Sequence, residues 1–121
     1  MTRNRKYDLE DRLIGFSIGI MNLVEMLPKT YTGKHFANQL VRSGTSPAFH
    51  YSEAKSAESR KDFVHKLGIG LKELRETIRW LRLIQRVPLI KKQELIEPLI
   101  LETDELIRIL VASIKTAKEN M

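Results

Sequence analysis

Apolar side chains recur at spacings of three and four residues through four long segments of this chain. In the first segment the series is unbroken and comprises Leu9, Leu13, Phe16, Ile20, Leu23 and Leu27. On an α-helix such residues lie on one face, and long helices with one apolar face bury it against each other. No alternating strand pattern or hairpin dipeptide competes with this reading. The pattern therefore predicts an all-α fold, an up-down four-helix bundle.

Capping residues and prolines predict where the helices begin and end. Asp8, Thr32 and Ser59 are candidate N-caps, because a short side-chain oxygen can accept an amide hydrogen of the first turn. Pro28 and Pro88 close the first and third helices, since proline cannot continue a helix. A single domain, 1–121, is then expected to contain helices over about 8–27, 33–58, 60–87 and 91–118.

Two prolines, Pro47 and Pro98, fall inside the predicted helices. Each lacks a backbone N–H, so we expect a kink or a break at both. A bend that wraps the helix around the core explains them better than a functional hinge. Two glycines of the third helix, Gly68 and Gly70, lack the lysine and turn of a phosphate-binding loop, and close helix packing accounts for them better.

The third and fourth helices carry more apolar surface than one core needs. The fourth helix covers an arc of about 160° with apolar side chains, whereas a helix facing one core needs about 100°. Leu101 and Ile109 lie on its polar side as well. On the third helix the surplus residues are Trp80, Leu83, Ile84 and Val87. Such surplus predicts subunit contacts, and the alternative is a thick core with a few exposed aliphatic residues.

Cations of the third helix form a line along one face. Lys72, Arg75, Arg79, Arg82 and Arg86 follow at steps of three and four residues, and Lys61 and His65 lie on the same angle earlier. The chain has 21 basic and 15 acidic residues and a net charge of +6, which favours acidic partners. Six of these cations are candidate phosphate-binding residues, and we call them the basic stripe: Lys61, Lys72, Arg75, Arg79, Arg82 and Arg86. The alternative is a solvated face in which Glu73 and Glu76 pair with Arg79 or Lys72.

Catalytic and metal-binding patterns do not emerge from the sequence. The absence of cysteine removes disulfides, thiolate metal sites and a cysteine nucleophile. The pairs His50-x-x-Glu53 and Asp62-x-x-His65 do not reproduce the two Glu-x-x-His pairs of a di-iron bundle. Arg42 belongs to a polar, small-residue face of the second helix, where we expect it to pair with Glu53 or Glu58. We therefore expect no cofactor, no metal, no catalytic residue and no enzymatic activity.

The block from Gln39 to Ile84 resembles bacterial four-helix bundle proteins named for large-subunit rRNA intervening sequences. The family pattern has an Arg-Ser-x-Thr/Ser-Ser stretch, a glutamate-containing turn, an Asp/Glu-Phe opening and a Glu-rich third helix. Matching positions here are Arg42, Ser43, Thr45, Ser46, Glu53, Glu58, Asp62, Phe63, Glu73 and Glu76. Where many members have Asn-Ile-Ala-Glu-Gly, this chain keeps Glu53 and has Ala54 in place of the glycine, which suggests a divergent subgroup. The first and fourth helices also fit in length and pattern.

The resemblance implies a four-helix bundle that assembles as a ring, commonly a homopentamer, and it implies no established activity. A similar fold occurs in the accessory variability determinant of diversity-generating retroelements, a basic pentameric ring that engages nucleic acid and a reverse transcriptase. That likeness is at the level of fold and transfers function weakly.

These patterns lead to one functional hypothesis and its alternatives. The leading hypothesis is a non-enzymatic homo-oligomer that binds RNA or DNA phosphates through the basic stripe, without reading bases, since Trp80 is the one aromatic residue near the cations. The alternative is a scaffold that binds another protein and has no nucleic-acid role, and an enzyme ranks third. No signal peptide or membrane-spanning run is evident, so we expect a cytoplasmic protein with no membrane partner.

Overall fold

The computed structural model describes residues 8–121, and this part of the chain is built from helices. The α-helices are α1 (Leu9–Val24), α2 (Tyr31–Lys55), α3 (Arg60–Arg86) and α4 (Glu97–Glu119), with one 3-10 turn, Gln93–Leu95, before α4. Helices adjacent in sequence pack against each other, and α1 touches α4 over a smaller area. The predicted all-α four-helix bundle is confirmed.

Contacts between neighbouring helices show that each pair runs antiparallel. Between α2 and α3, Ser43 lies against Thr77 near the middle, and Phe36 lies against Trp80 nearer one end. Early residues of α2 therefore meet late residues of α3. Because the loops that join α1 to α2 and α2 to α3 are short, the antiparallel arrangement follows directly from the chain path.

The core is the predicted apolar seam. From the first segment Leu13, Phe16, Ile20, Leu23 and Leu27 are all buried. The other helices contribute further fully buried side chains, which include Leu40, Leu67, Leu74, Leu81, Leu106 and Leu110. Each such side chain contributes about 1.5–3 kcal/mol relative to an exposed one, so the seam is the main source of stability.

Two of the three predicted helix caps are observed and one is wrong. Asp8 accepts a hydrogen bond from the Asp11 amide at 3.2 Å, and Ser59 accepts one from the Asp62 amide at 3.0 Å. The cap of α2 is Thr30, whose hydroxyl accepts from the Gly33 amide at 3.1 Å, and Thr32 lies inside the first turn. The helix starts earlier than expected because the loop after α1 folds tightly onto this turn.

The start of α4 corrects the interpretation of Pro98. The helix begins at Glu97 and not near Lys91, so Pro98 stands in its first turn. A first-turn amide has no partner within the helix, and proline is therefore tolerated there without a kink. Pro47, in contrast, lies within α2, which continues from Tyr31 to Lys55.

Ion pairs connect α1 to both of its neighbours. Arg12 donates to Glu102 of α4 at 2.7 and 2.9 Å and to Glu105 at 3.1 Å. The hydrogen bond to Glu102 is the main cause that raises the pKa of Arg12 above its ordinary value. At the edge facing α2, the Lys55 ammonium donates to Glu10 at 2.7 Å, and this bond raises the pKa of Lys55.

Candidate nucleic-acid interface

The basic stripe lies on the outer face of α3. All six of its cations, Lys61, Lys72, Arg75, Arg79, Arg82 and Arg86, are exposed. The opposite face of the helix supplies core residues such as Leu74 and Leu81. From Lys72 to Arg86 the stripe extends about 21 Å, at 1.5 Å per residue. No carboxylate of residues 8–121 lies within ion-pair distance of any of the six cations.

The two glutamates of α3 that were expected to neutralise the stripe bind Arg42 of α2. Arg42 donates from Nη1 to Glu73 Oε1 at 2.9 Å and from Nη2 to Glu76 Oε2. The predicted pairing of Arg42 with Glu53 or Glu58 is wrong, because the antiparallel register sets Arg42 opposite Glu73 and Glu76. The alternative in which these glutamates pair with Arg79 or Lys72 is not observed, because both carboxylates bind Arg42. The charge of the basic stripe is consequently not cancelled by its nearest acids.

An aromatic cluster lies next to the stripe, between α2 and α3. The Trp80 ring meets Phe36 with centroids 5.0 Å apart and His35 with centroids 5.9 Å apart, both edge to face. Trp80 Nε1 donates to Glu76 Oε2 at 3.1 Å, so the indole is held at both ends. The sequence indicated Trp80 alone, because His35 and Phe36 precede it by more than forty residues.

The predicted surplus of apolar side chains is observed in part. Leu83 of α3 and Val87, the residue that caps its C-terminus, are 43% and 45% exposed, and Leu101 of α4 is 62% exposed. Trp80 is half-buried in its aromatic cluster. Ile84 is fully buried, so its assignment to the surplus is wrong. The reason is that the core of α3 extends over a wider arc than one seam, as α3 packs on both α2 and α4.

A larger apolar surface, which the sequence reading missed, lies between α1 and α2. We call it the α1–α2 face, and its most exposed apolar side chains are Ile14, Ile18, Met21 and Phe49. These residues line a groove of about 490 Å³ together with Val41 and Ala48. One signal was available in the sequence, since residues 13–24 contain no charged side chain. A helix of that composition is apolar on more than the side that faces its own core.

Histidines and carboxylates do not converge on a metal site in the part of the chain that the structure describes. There, no three side chains of these types are placed to hold an ion. The buried polar atoms Ser46 Oγ and His50 Nδ1 lack a hydrogen-bond partner within that part. None of its helices is long and apolar enough to cross a membrane.

Comparison with known proteins decides the family. The model of the family described as 23S rRNA-intervening sequence protein matches residues 5–112. The chain belongs to this family. The resemblance seen in the block from Gln39 to Ile84 is thereby confirmed. A search among curated proteins gives no match.

A solved structure that is similar to this chain shows the same fold. It is the crystal structure of a protein of unknown function from the S23 ribosomal protein family of Bacteroides thetaiotaomicron VPI-5482. The two are 36% identical, with a TM-score of 0.80, and the match covers 88% of this chain and 97% of the other. The family's function is uncharacterised, so an assignment of function has to come from the residues of the site.

Proposed function

We propose that this member of the 23S rRNA-intervening sequence family is a non-enzymatic homo-oligomer that binds RNA or DNA through phosphate contacts. The residues proposed to bind are Lys61, Lys72, Arg75, Arg79, Arg82 and Arg86. The observation that carries the proposal is their shared exposure on one face of α3, with Glu73 and Glu76 turned away to Arg42. We place this activity in the bacterial cytoplasm.

Electrostatics explains why such a stripe favours nucleic acid. Each phosphate that a lysine or arginine neutralises releases condensed counterions, and this entropy gain drives binding at low salt. The arginines of the stripe can also donate two parallel hydrogen bonds to one phosphate. A single stripe binds weakly at physiological salt, and several copies on one assembly strengthen the total through effective concentration.

The oligomer is part of the proposal, and the α1–α2 face supports it. Exposed apolar residues that are contiguous across two helices are typical of subunit contacts. The face lies on α1 and α2, whereas the basic stripe lies on α3, so subunit contacts there leave the cations exposed. A ring, with five subunits by the family resemblance, would repeat the stripe around the assembly.

A salt titration of binding to generic RNA tests the proposal. We expect the logarithm of the association constant to fall linearly with the logarithm of salt concentration. The double variant Arg79→Glu and Arg82→Glu should bind at least tenfold more weakly at low salt. The magnitude of its salt slope should be smaller by about 2. The matched control is Lys115→Glu with Lys118→Glu, since these exposed residues of α4 have the same spacing and charge change.

Two results would contradict nucleic-acid binding. One is the absence of binding at low salt, and the other is an equal loss of affinity in the α3 and α4 variants. The α1–α2 face also suits the alternative function, a scaffold for another protein. A stoichiometric protein partner that remains bound after nuclease treatment, together with no RNA affinity of the purified protein, would favour that alternative.

A further inference from the structure

We infer that the nucleic acid bound at the basic stripe is single-stranded, and that its unpaired bases stack on aromatic side chains of the outer groove between α2 and α3. We call this surface the α2–α3 groove and define it by Tyr31 and His35 on the α2 side and by Trp80, Leu83 and Val87 on the α3 side. The contact between His35 and Trp80 joins the two sides. The inference rests on the proposed function and names the class of nucleic acid. It concerns a surface that only the packing of α2 on α3 creates.

Aromatic side chains line the α2 side of the groove. Tyr31 and His35 are four residues apart, so they project from the same side of α2 one turn from each other. Tyr31 is 89% exposed, and His35 is exposed with its ring edge-on to Trp80. Neither side chain has a hydrogen bond within residues 8–121 that would hold its ring for a structural purpose. Tyr31 is thus open to an external partner, and His35, whose ring packs edge-on against Phe36 and Trp80, presents its exposed side to one.

The α3 side of the groove joins the aromatic residues to the cations. Leu83 follows Arg79 by four residues and precedes Arg86 by three, so it lies beside both on the helix surface. Val87 extends the same apolar line by one turn. Both are close to half exposed. The surface thus combines a line of cations with a parallel line of aromatic and aliphatic side chains.

This combination matches the chemistry of a single strand. A duplex presents phosphates outward and hides the faces of its bases in the stack, so it makes no use of apolar side chains beside the cations. An unpaired strand exposes both a phosphate backbone and the π-faces of its bases. Proteins that bind single strands accordingly pair a basic track with aromatic stacking residues. The α2–α3 groove has both.

The floor of the groove is held in place before any strand binds. Trp80 donates to Glu76, Glu76 also accepts from Arg42, and the Trp80 ring packs on Phe36. A preorganised surface loses little conformational freedom on binding, which favours affinity. Trp80 is also the single tryptophan of the chain, so its fluorescence reports on this groove alone.

The experiment compares strands with duplexes on the full-length protein. The probes are an oligouridine of about 20 nucleotides and an RNA duplex of the same length, measured by fluorescence anisotropy at low salt. We expect the single strand to bind at least fivefold more tightly and to change the emission of Trp80. The double variant Tyr31→Ala and His35→Ala should weaken single-strand binding at least tenfold and duplex binding less than twofold, since only the unpaired bases lose their stacking partners. Tyr31→Phe with His35→Phe keeps both rings and should retain the affinity.

Three outcomes would overturn the inference. The first is equal affinity for strand and duplex, and the second is an equal loss of affinity for both probes in the alanine variant. The third is an alanine variant with unchanged affinity for the strand and an altered molecular mass, which would assign the groove to contact with a second copy of the chain. In each case the proposed function survives if the double variant Arg79→Glu and Arg82→Glu still reduces affinity at least tenfold. If that charge reversal has no effect, it is the proposed function that fails.

Discussion

At Gly44 the backbone of α2 touches a side chain of α1 directly. A Cβ added there would lie 2.8 Å from Ile20 Cγ2, 2.9 Å from Cγ1 and 3.2 Å from Cβ. These atoms stand at the root of a fully buried side chain and cannot move without shifting α1. At Gly68, on the outer side of α3, an added Cβ would meet nothing within 4 Å. The two glycines therefore provide a matched comparison.

We predict opposite effects of alanine at these two glycines. Gly44→Ala should destabilise the fold by about 1–3 kcal/mol, because overpacking outweighs the better helix propensity of alanine. Gly68→Ala should stabilise it by about 0.5–1 kcal/mol, because propensity acts there alone. Urea unfolding followed by circular dichroism measures both changes. Equal effects would show that the α1–α2 approach is not as close as described.

The glycines also show which residue-level features the sequence indicates. Close packing was expected at Gly68 and Gly70, and it is wrong for Gly68. A Cβ at Gly70 would be 3.5 Å from His50 Cβ, which is an ordinary contact. One tight position, Gly44, follows Ser43 in the polar, small-residue face of the second helix, where no pattern singles it out from its neighbours. Contact distance depends on the neighbouring helix, which is remote in sequence, so local pattern cannot locate it.

At the scale of elements, α1 packs more extensively against α2 than against α4. The forked contact of Arg12 with Glu102 is the main polar link between α1 and α4 in the described residues. Arg12 and Glu102 are 28% and 30% exposed at their side chains, so solvent screens the pair only partly. A bidentate pair in such surroundings is stronger than a typical surface ion pair.

Removing the Arg12 link should loosen α1 before the rest of the bundle. We predict that Arg12→Ala lowers the free energy of unfolding by about 1 kcal/mol and speeds amide hydrogen exchange in α1 more than in α3. The control is Arg108→Ala, since Arg108 pairs with Asp104 on the surface of α4 with its side chain 77% exposed. That variant should change stability by less than about 0.5 kcal/mol. An equal increase in the rate of amide hydrogen exchange in all four helices would contradict the prediction.

Periodicity predicts helices well and their relative positions poorly. The spacing of Leu13, Phe16 and Ile20 identifies both a helix and its inner face. It contains no information on how far α2 is shifted along α3. The partner of Arg42 depends on that shift, which is why Arg42 was expected to pair with Glu53 or Glu58 and binds Glu73 and Glu76 instead. The six residues of the basic stripe avoided this difficulty, because their exposure depends on one helix only.

At the scale of the whole molecule, the exposed apolar residues lie mainly on the first two helices, whereas the sequence pattern predicted a surplus on the third and fourth. The surplus predicted on the third and fourth helices includes Leu83 and Val87, which lie one turn apart, and Leu101 on α4, and all three are exposed. The α1–α2 face is formed by two helices together, and Phe49 at 71% exposure is one of its members. A surface built jointly by two elements becomes visible only when their packing is known.

Self-association through the α1–α2 face gives the last prediction. We expect light scattering to give a mass several times the 14.1 kDa of one chain. Ile18→Glu with Phe49→Glu should dissociate the assembly, because burying two carboxylates without partners costs several kcal/mol. The control, Leu101→Glu, introduces the same charge at an exposed residue of α4 and should leave the mass unchanged.

The dissociating variant also connects assembly to the proposed binding. Its basic stripe is intact, so a monomer should still bind RNA, but with the weaker affinity of one stripe instead of several. We therefore expect the affinity for a long RNA to fall at least tenfold and that for a short oligonucleotide to change little. A monomeric wild-type protein, or equal dissociation by Leu101→Glu, would contradict the assignment of the α1–α2 face. Equal losses of affinity for long and short RNA would show that the number of stripes in the assembly does not contribute to binding.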